Sequence, residues 1–101
     1  MMKVTDYFKL FRSRPDRAII EDEWIEHTIK FPVAETVQED GRIRRWAPVE
    51  EMGGRYLRVV LLADGVTVHN AFFDRGFKPF TYKTWRILLV RYIQKRSLLS
   101  R

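Results

Sequence analysis

The chain contains no cysteine, which excludes disulfides, thiolate zinc sites and cysteine nucleophiles. It also has no long apolar run, and its first residues lack the pattern of a signal peptide. We therefore expect neither a membrane span nor secretion. The missing cysteines are in keeping with a cytoplasmic location.

Histidine and glycine are scarce as well. The two histidines, His27 and His69, fall on different predicted elements, and no HExxH or similar metal-binding spacing occurs. None of the five glycines belongs to a phosphate-cradling loop, and the Gly53-Gly54 pair is typical of a turn. We therefore predict neither a metal site nor a cofactor.

Acidic residues are outnumbered, because 19 Lys and Arg face 13 Asp and Glu, which gives a net charge of +6. A small basic domain often binds nucleic acid or an acidic protein, although surplus charge also serves solubility. The remaining composition, 46% hydrophobic and 32% charged, is that of an ordinary globular protein. A length of 101 residues suits one domain over residues 1–101.

Apolar residues at helical spacing predict three helices. Thr5 or Asp6 is placed to cap the first, and Pro15 ends it. Acidic residues cluster at the start of the second, and Pro32 follows its end. The predicted helices cover residues 4–13, residues 21–30 and a C-terminal stretch from Thr81.

Between the second and third helices the apolar period changes to two, which predicts four antiparallel strands. Asp40-Gly41 and Asp64-Gly65 are strong signals for two-residue type I′ hairpin turns. Such turns set Glu39 opposite Arg42, Val37 opposite Arg44 and Glu35 opposite Trp46 in the first hairpin. In the second they set Leu61 opposite Val68, Val60 opposite His69, Val59 opposite Asn70, Arg58 opposite Ala71 and Leu57 opposite Phe72. With helices over one face of the sheet, the predicted fold is an α+β sandwich.

His69 and Arg58 are the candidate catalytic residues. The predicted register places both on the mixed face of the sheet, diagonally about 8 Å apart at the backbone. A histidine transfers protons near neutral pH, and an arginine neutralises charge on a phosphate. These are the minimum requirements for cleaving RNA without a metal. The structural alternative is a half-exposed strand histidine that hydrogen-bonds to a neighbour.

A basic group is the candidate RNA-binding surface. Alternation puts Arg42, Arg44 and Trp46 on one face of a strand and Arg45 on the other. Arginines beside an aromatic ring hold phosphate and stack a base, whereas the alternative is a solvated strand with pairs such as Glu39 with Arg42. The predicted RNA-binding residues are Arg42, Arg44, Arg55 and Arg75.

Asn70 and Asp74 favour structural roles. Asn70 is predicted on the apolar core face, where its amide needs hydrogen-bond partners. Asp74 and Arg75 are expected to pair locally or to cap the turn before Gly76.

Three stretches, RAIIEDEWIEHTIKFP, DGRIRRWAPV and YLRVVLLADGVTVHNAFFDRGF, resemble a family of small uncharacterised bacterial proteins over Arg17 to Phe77. The layout of a helix, a proline stop and antiparallel strands is also similar to RelE/ParE-type and BrnT-type toxins. This resemblance implies a RelE-like fold, an mRNA nuclease (or a gyrase poison in the ParE branch), and a cognate antitoxin partner. By position, Arg58 and His69 match the residues of such sites best, with Arg44 and Arg75 behind them.

The predicted function is therefore that of an RNA-interacting protein of the RelE type, with metal-free endoribonuclease activity as its sharper form. The alternative is a non-catalytic module that binds a protein partner through apolar residues such as Trp85 and Tyr92 of the C-terminal helix. The sequence leaves catalysis and simple binding as alternatives.

Overall fold

The structure is a computed structural model that describes residues 2–79. Its helices are α1 (Asp6–Phe11), α2 (Pro15–Ala18) and α3 (Asp22–Lys30), and its strands are β1 (Ala34–Val37), β2 (Ile43–Val49), β3 (Arg55–Leu61) and β4 (Val68–Phe73). A 3-10 turn, Glu50–Met52, joins β2 to β3. The helix predicted from Thr81, with Trp85 and Tyr92, lies outside the described residues. No helix within residues 2–79 has the length and apolar character needed to span a bilayer.

The four strands form one antiparallel sheet in the order β1-β2-β3-β4, which confirms the predicted α+β class. Alternate residues of β3, namely Leu57, Val59 and Leu61, are fully buried and pack in one core with Phe8 of α1 and Ile25 of α3. The helices of residues 2–79 therefore cover one face of the sheet, as the strict alternation of β3 indicates.

Capping and proline geometry explain the N-terminal helices. Thr5 is the N-cap of α1, since its side-chain oxygen accepts from the Phe8 amide at 3.1 Å. The segment after α1 was expected only to break it, but it also begins a second helix. Pro15 occupies the first turn of α2, where a missing N–H costs nothing and the fixed φ suits a helix.

The predicted register of β1 with β2 is wrong by one residue. Val37 pairs with Ile43, and Ala34 rather than Glu35 lies opposite Trp46. The reason is the loop: the Gly41 amide donates to the Gln38 carbonyl, and Gly41 has a left-handed φ of +90°. The connection is thus a three-residue loop ending in glycine, not a two-residue type I′ turn.

The register of β3 with β4 is correct only beside the turn. Leu61 pairs with Val68 as predicted, but Val60 pairs with Asn70, so His69 is an extra residue in a β-bulge. Beyond it the predicted pairs are wrong, because Arg58 lies opposite Phe72 rather than Ala71.

The remaining β3–β4 pairs shift in the same way. Val59 pairs with Ala71 and Leu57 with Phe73, in place of the predicted Asn70 and Phe72. Asn70 consequently shares the face of Val60 and is not on the core face.

Asp64-Gly65 also departs from a two-residue turn, since the Gly65 amide donates to the Leu62 carbonyl.

The bulge is held by residues from the N-terminal part of the chain. The Val68 amide donates to the Lys3 carbonyl, and the Thr5 amide donates to the Val68 carbonyl. Arg17 of α2 donates from Nη1 to the Asn70 side-chain oxygen at 2.6 Å and to the Ala71 carbonyl at 3.0 Å. These contacts satisfy polar groups of β4 beside the bulge and tie the strand to the N-terminal segment.

Candidate nucleic-acid interface

The face of the sheet opposite the helices, called the arginine face below, carries cationic and aromatic side chains. Pairing places Arg44 beside Val60, Trp46 beside Arg58, and Arg58 beside Phe72. The predicted division of β2 is confirmed for Arg44 and Trp46, because Arg45 lies on the other face and donates to the Ile29 carbonyl at 3.0 Å. Arg42 lies outside the strand. The arginine face is defined by Arg44, Trp46, Tyr56, Arg58, Asn70 and Phe72.

Two guanidinium groups contact the ring of Phe72. The Cζ atoms of Arg17 and Arg58 lie 5.0 and 5.1 Å from its centroid, within the range of cation–π attraction. Arg58 Cζ also lies 5.6 Å from the Trp46 ring, and its Nη1 is 3.6 Å from Asp74 Oδ2. Arg58 is therefore fixed by three neighbours and presents only 23% of its side chain to solvent.

Asp74 links the sheet to the turn that follows β4. Its Oδ2 accepts from the Trp46 indole N–H at 3.1 Å, and its Oδ1 accepts from the Gly76 amide at 3.1 Å. The second bond is the turn cap that the sequence predicted. The same carboxylate also faces Arg58, whose Nη1 lies 3.6 Å from Oδ2.

The turn completes a cleft where β3 begins and β4 ends. Phe77 stacks on Trp46 with ring centroids 4.7 Å apart and an interplanar angle of 6°, and Tyr56 and Phe77 lie edge-to-face with centroids 5.1 Å apart. The cleft has a volume of about 250 Å³ and is lined by Arg55, Tyr56, Phe73, Asp74, Arg75 and Phe77. Two of the predicted RNA-binding residues, Arg55 and Arg75, are thus brought together, and both are exposed.

The other two predicted RNA-binding residues lie near the opposite end of β3. Arg42 is in the β1–β2 connection, where its Nε is 3.5 Å from Asp40, so the predicted cross-strand pair with Glu39 is wrong. Arg44 points to the arginine face, and its Nε and Nη2 lie 2.6 and 2.9 Å from the end of the Gln38 carboxamide, whose oxygen accepts from both when the amide is turned towards the guanidinium. Both guanidinium groups are half-buried and lie outside the cleft.

His69 lies outside the cleft and contacts the N-terminal segment. Its Nδ1 is 3.1 Å from the Thr5 hydroxyl, and its ring stacks on Tyr7 with centroids 4.6 Å apart. Burial lowers the pKa of His69 below its ordinary value of 6.5, and the positive charge of Arg42 lowers it further while Asp40 opposes this. The imidazole is therefore predominantly neutral at pH 7.

The structure places His69 and Arg58 in different contact groups. Arg58 lies opposite Phe72, three residues from His69 along β4, which is roughly 10 Å at the rise of a strand. The register from which their closeness was inferred is wrong, and their joint role in catalysis stays a prediction. Sequence reasoning also missed Arg17 and Phe77, which no periodic pattern singles out.

Acidic residues collect in a different place. A cleft of about 570 Å³ between α3 and the β2–β3 connection is lined by Glu21, Glu23, Trp24, His27, Pro48, Val49, Glu50 and Glu51. Four of the 13 acidic residues of the chain line this cleft. On the arginine face, Asp74 lies 3.6 Å from Arg58.

Comparisons with protein-family models, with curated proteins and with solved structures found no match to this chain. The likeness to RelE-type toxins therefore stays an expectation from the sequence.

Proposed function

We propose that the protein binds single-stranded RNA across the arginine face. Single-stranded RNA presents phosphates together with unstacked bases, and proteins bind it by combining cations with exposed aromatic rings. The arginine face supplies Arg44, and the adjoining cleft supplies Arg55 and Arg75 beside aromatic rings. The carboxylate that lies among these groups, Asp74, is already engaged by Arg58 and Trp46.

One observation carries the proposal: two exposed arginines and three aromatic rings line the same cleft. An arginine binds a phosphate through parallel N–H donors, and a base stacks on any π face. Stacking is tolerant of base identity, so we expect modest sequence preference and a strong dependence on salt.

Binding of a fluorescent 12-nucleotide RNA, measured by anisotropy at several salt concentrations, tests the proposal. The variant Arg55→Ala/Arg75→Ala should weaken binding and reduce the slope of log K against log salt by about 0.7 for each phosphate that the variant no longer neutralises. Arg14→Ala is the matched single-charge control, because Arg14 is exposed beside Phe11 at the start of α2. Salt-independent binding, or a double variant whose slope matches that of the control, would contradict the proposal.

A second candidate is the metal-free endoribonuclease of the RelE-like type, acting on mRNA in the cytoplasm and neutralised by an antitoxin. The geometry that favours it is the position of His69, whose Nδ1 lies 3.1 Å from the Thr5 hydroxyl and whose ring stacks on Tyr7. Burial and the charge of Arg42 lower the pKa of this imidazole. Such a ring accepts the proton of a 2′-hydroxyl as that oxygen attacks phosphorus, while the 5′-oxygen leaves with a proton from water. Arginine stabilises the charge that develops on the phosphate.

Expression in bacteria tests the nuclease candidate. Growth arrest relieved by His69→Ala or Arg58→Ala, together with RNA fragments ending in 2′,3′-cyclic phosphate, is the expected result. Harmless expression with a co-purifying protein would instead favour the non-catalytic binding module.

A further inference from the structure

We propose that the cleft lined by Arg55, Tyr56, Phe73, Asp74, Arg75 and Phe77 holds a single nucleotide, with its base against Phe77 and its phosphate between the two arginines. This inference rests on the proposed RNA binding and names the part of the chain that reads an individual nucleotide. The ligand class is a nucleoside monophosphate, either free or as one unit of an RNA strand.

The ring of Phe77 is the platform for the base. Trp46 covers one face of Phe77 in a nearly parallel stack, and Trp46 does not line the cleft. Phe77 lines the cleft together with Tyr56, and the two rings lie edge-to-face with centroids 5.1 Å apart. A base placed against the part of Phe77 that lines the cleft joins this aromatic cluster, and stacking of bases on aromatic rings is typical of single-strand recognition.

The rim of the cleft is cationic. Arg55 and Arg75 are both exposed, and Arg55 Cζ lies 4.9 Å from the Phe73 centroid, which positions its guanidinium over the cleft wall. The cleft carboxylate, Asp74, accepts bonds from the Trp46 indole and the Gly76 amide and faces Arg58. The two arginines therefore remain available to an incoming phosphate.

The dimensions select a small occupant. At about 250 Å³ the cleft is smaller than the roughly 300–1,000 Å³ of most small-molecule pockets. One base fills such a space, while its ribose and phosphate lie at the rim. A stacked or double-stranded segment does not enter, because its bases are covered by their neighbours.

The test is an NMR titration of the whole chain with AMP, ribose 5-phosphate and inorganic phosphate. The Trp46 indole N–H is the reporter, since it bonds to Asp74 and its ring stacks on Phe77. We expect AMP to shift this signal and the amides of residues 75–77, and to bind roughly tenfold or more tightly than ribose 5-phosphate. Arg75→Ala should weaken AMP binding about tenfold, and Arg14→Ala should leave it unchanged.

The outcomes separate this inference from the broader proposal. AMP that binds no better than ribose 5-phosphate, or equally well to Arg75→Ala, overturns the nucleotide site, even where the 12-nucleotide RNA still binds with a steep salt dependence. AMP that binds in the cleft while the RNA does not bind supports the nucleotide site and overturns the RNA proposal. Phe77→Leu with an unchanged fold, checked by the dispersion of its amide spectrum, should abolish the preference for AMP and keep phosphate binding.

Discussion

Asp74 provides a sharp test of how the arginine face is held together. Its carboxylate accepts from the Trp46 indole N–H and the Gly76 amide, and it lies 3.6 Å from Arg58 Nη1. Trp46 is buried, with 6% of its surface exposed, and Arg58 exposes only 23% of its side chain. Asp74→Ala therefore leaves a buried donor and a half-buried cation without their acceptor.

The expected loss of stability follows from these contacts. An unsatisfied buried donor costs about 1–3 kcal/mol, and loss of the partner of a partly buried charge adds a similar or smaller amount. We expect Asp74→Ala to lower the free energy of unfolding by about 2–4 kcal/mol. In a domain of this size that corresponds to a fall in Tm of roughly 10–20 °C.

Thermal and urea unfolding, followed by tryptophan fluorescence, provide the measurement. Asp74→Asn is the matched variant, because its amide oxygen still accepts one hydrogen bond while the charge is lost, so its effect should be about half as large. An Asp74→Ala protein within about 0.5 kcal/mol of the parent would refute the role assigned to this carboxylate.

Three further predictions concern pH and the turns. Because the folded pKa of His69 lies below 6.5, the contribution of His69 to stability is present above pH 6.5 and is lost as pH falls through the folded pKa. Urea midpoints measured between pH 5 and 8 should fall with pH in this way, and His69→Gln should reduce the dependence. Hydrogen bonds from Thr67 and Val66 lower the pKa of Asp64 from 3.8 to about 2, so the stabilisation by Asp64 is present above pH 3.8 and is lost as pH falls towards 2. Asp64→Ala should therefore make the free energy of unfolding depend less on pH in this range. Gly41→Ala should destabilise the protein by about 1–2 kcal/mol because of its left-handed φ. It should cost more than Gly54→Ala, since an added Cβ at Gly41 meets the Ala63 Cβ at 3.3 Å whereas Gly54 has open space; equal urea midpoints would argue against this account.

Local patterns determined the class of the fold. The alternation of Leu57, Val59 and Leu61 identified the buried face of β3, and Thr5 was one of the two residues that the sequence offered as the cap of α1. These features depend on interactions between residues a few positions apart, or on a simple exposed-and-buried period. Such signals are present in the sequence whatever the rest of the chain does.

The loop and strand registers were only partly predictable. Both Asp-Gly pairs do lie between antiparallel strands, but their glycines end longer turns with left-handed φ. The Asp-Gly pair alone favours a two-residue turn. The loop that ends at Gly41 instead has three residues, which shifts every pair of β1 with β2 by one position. The alternative register differs by one position, which the mixed polarity of β1 does not penalise strongly.

The candidate site belongs to the tertiary structure. The bulge at His69 depends on Arg17 and the N-terminal segment, which are more than 50 residues away along the chain, and it decides that Arg58 meets Phe72. The cleft likewise joins the start of β3 to the turn after β4. The sequence by itself determined an α+β sheet protein with excess positive charge, because propensity and alternation act locally. Only the folded chain decided which cations and rings share a surface, because that depends on contacts between residues far apart in sequence.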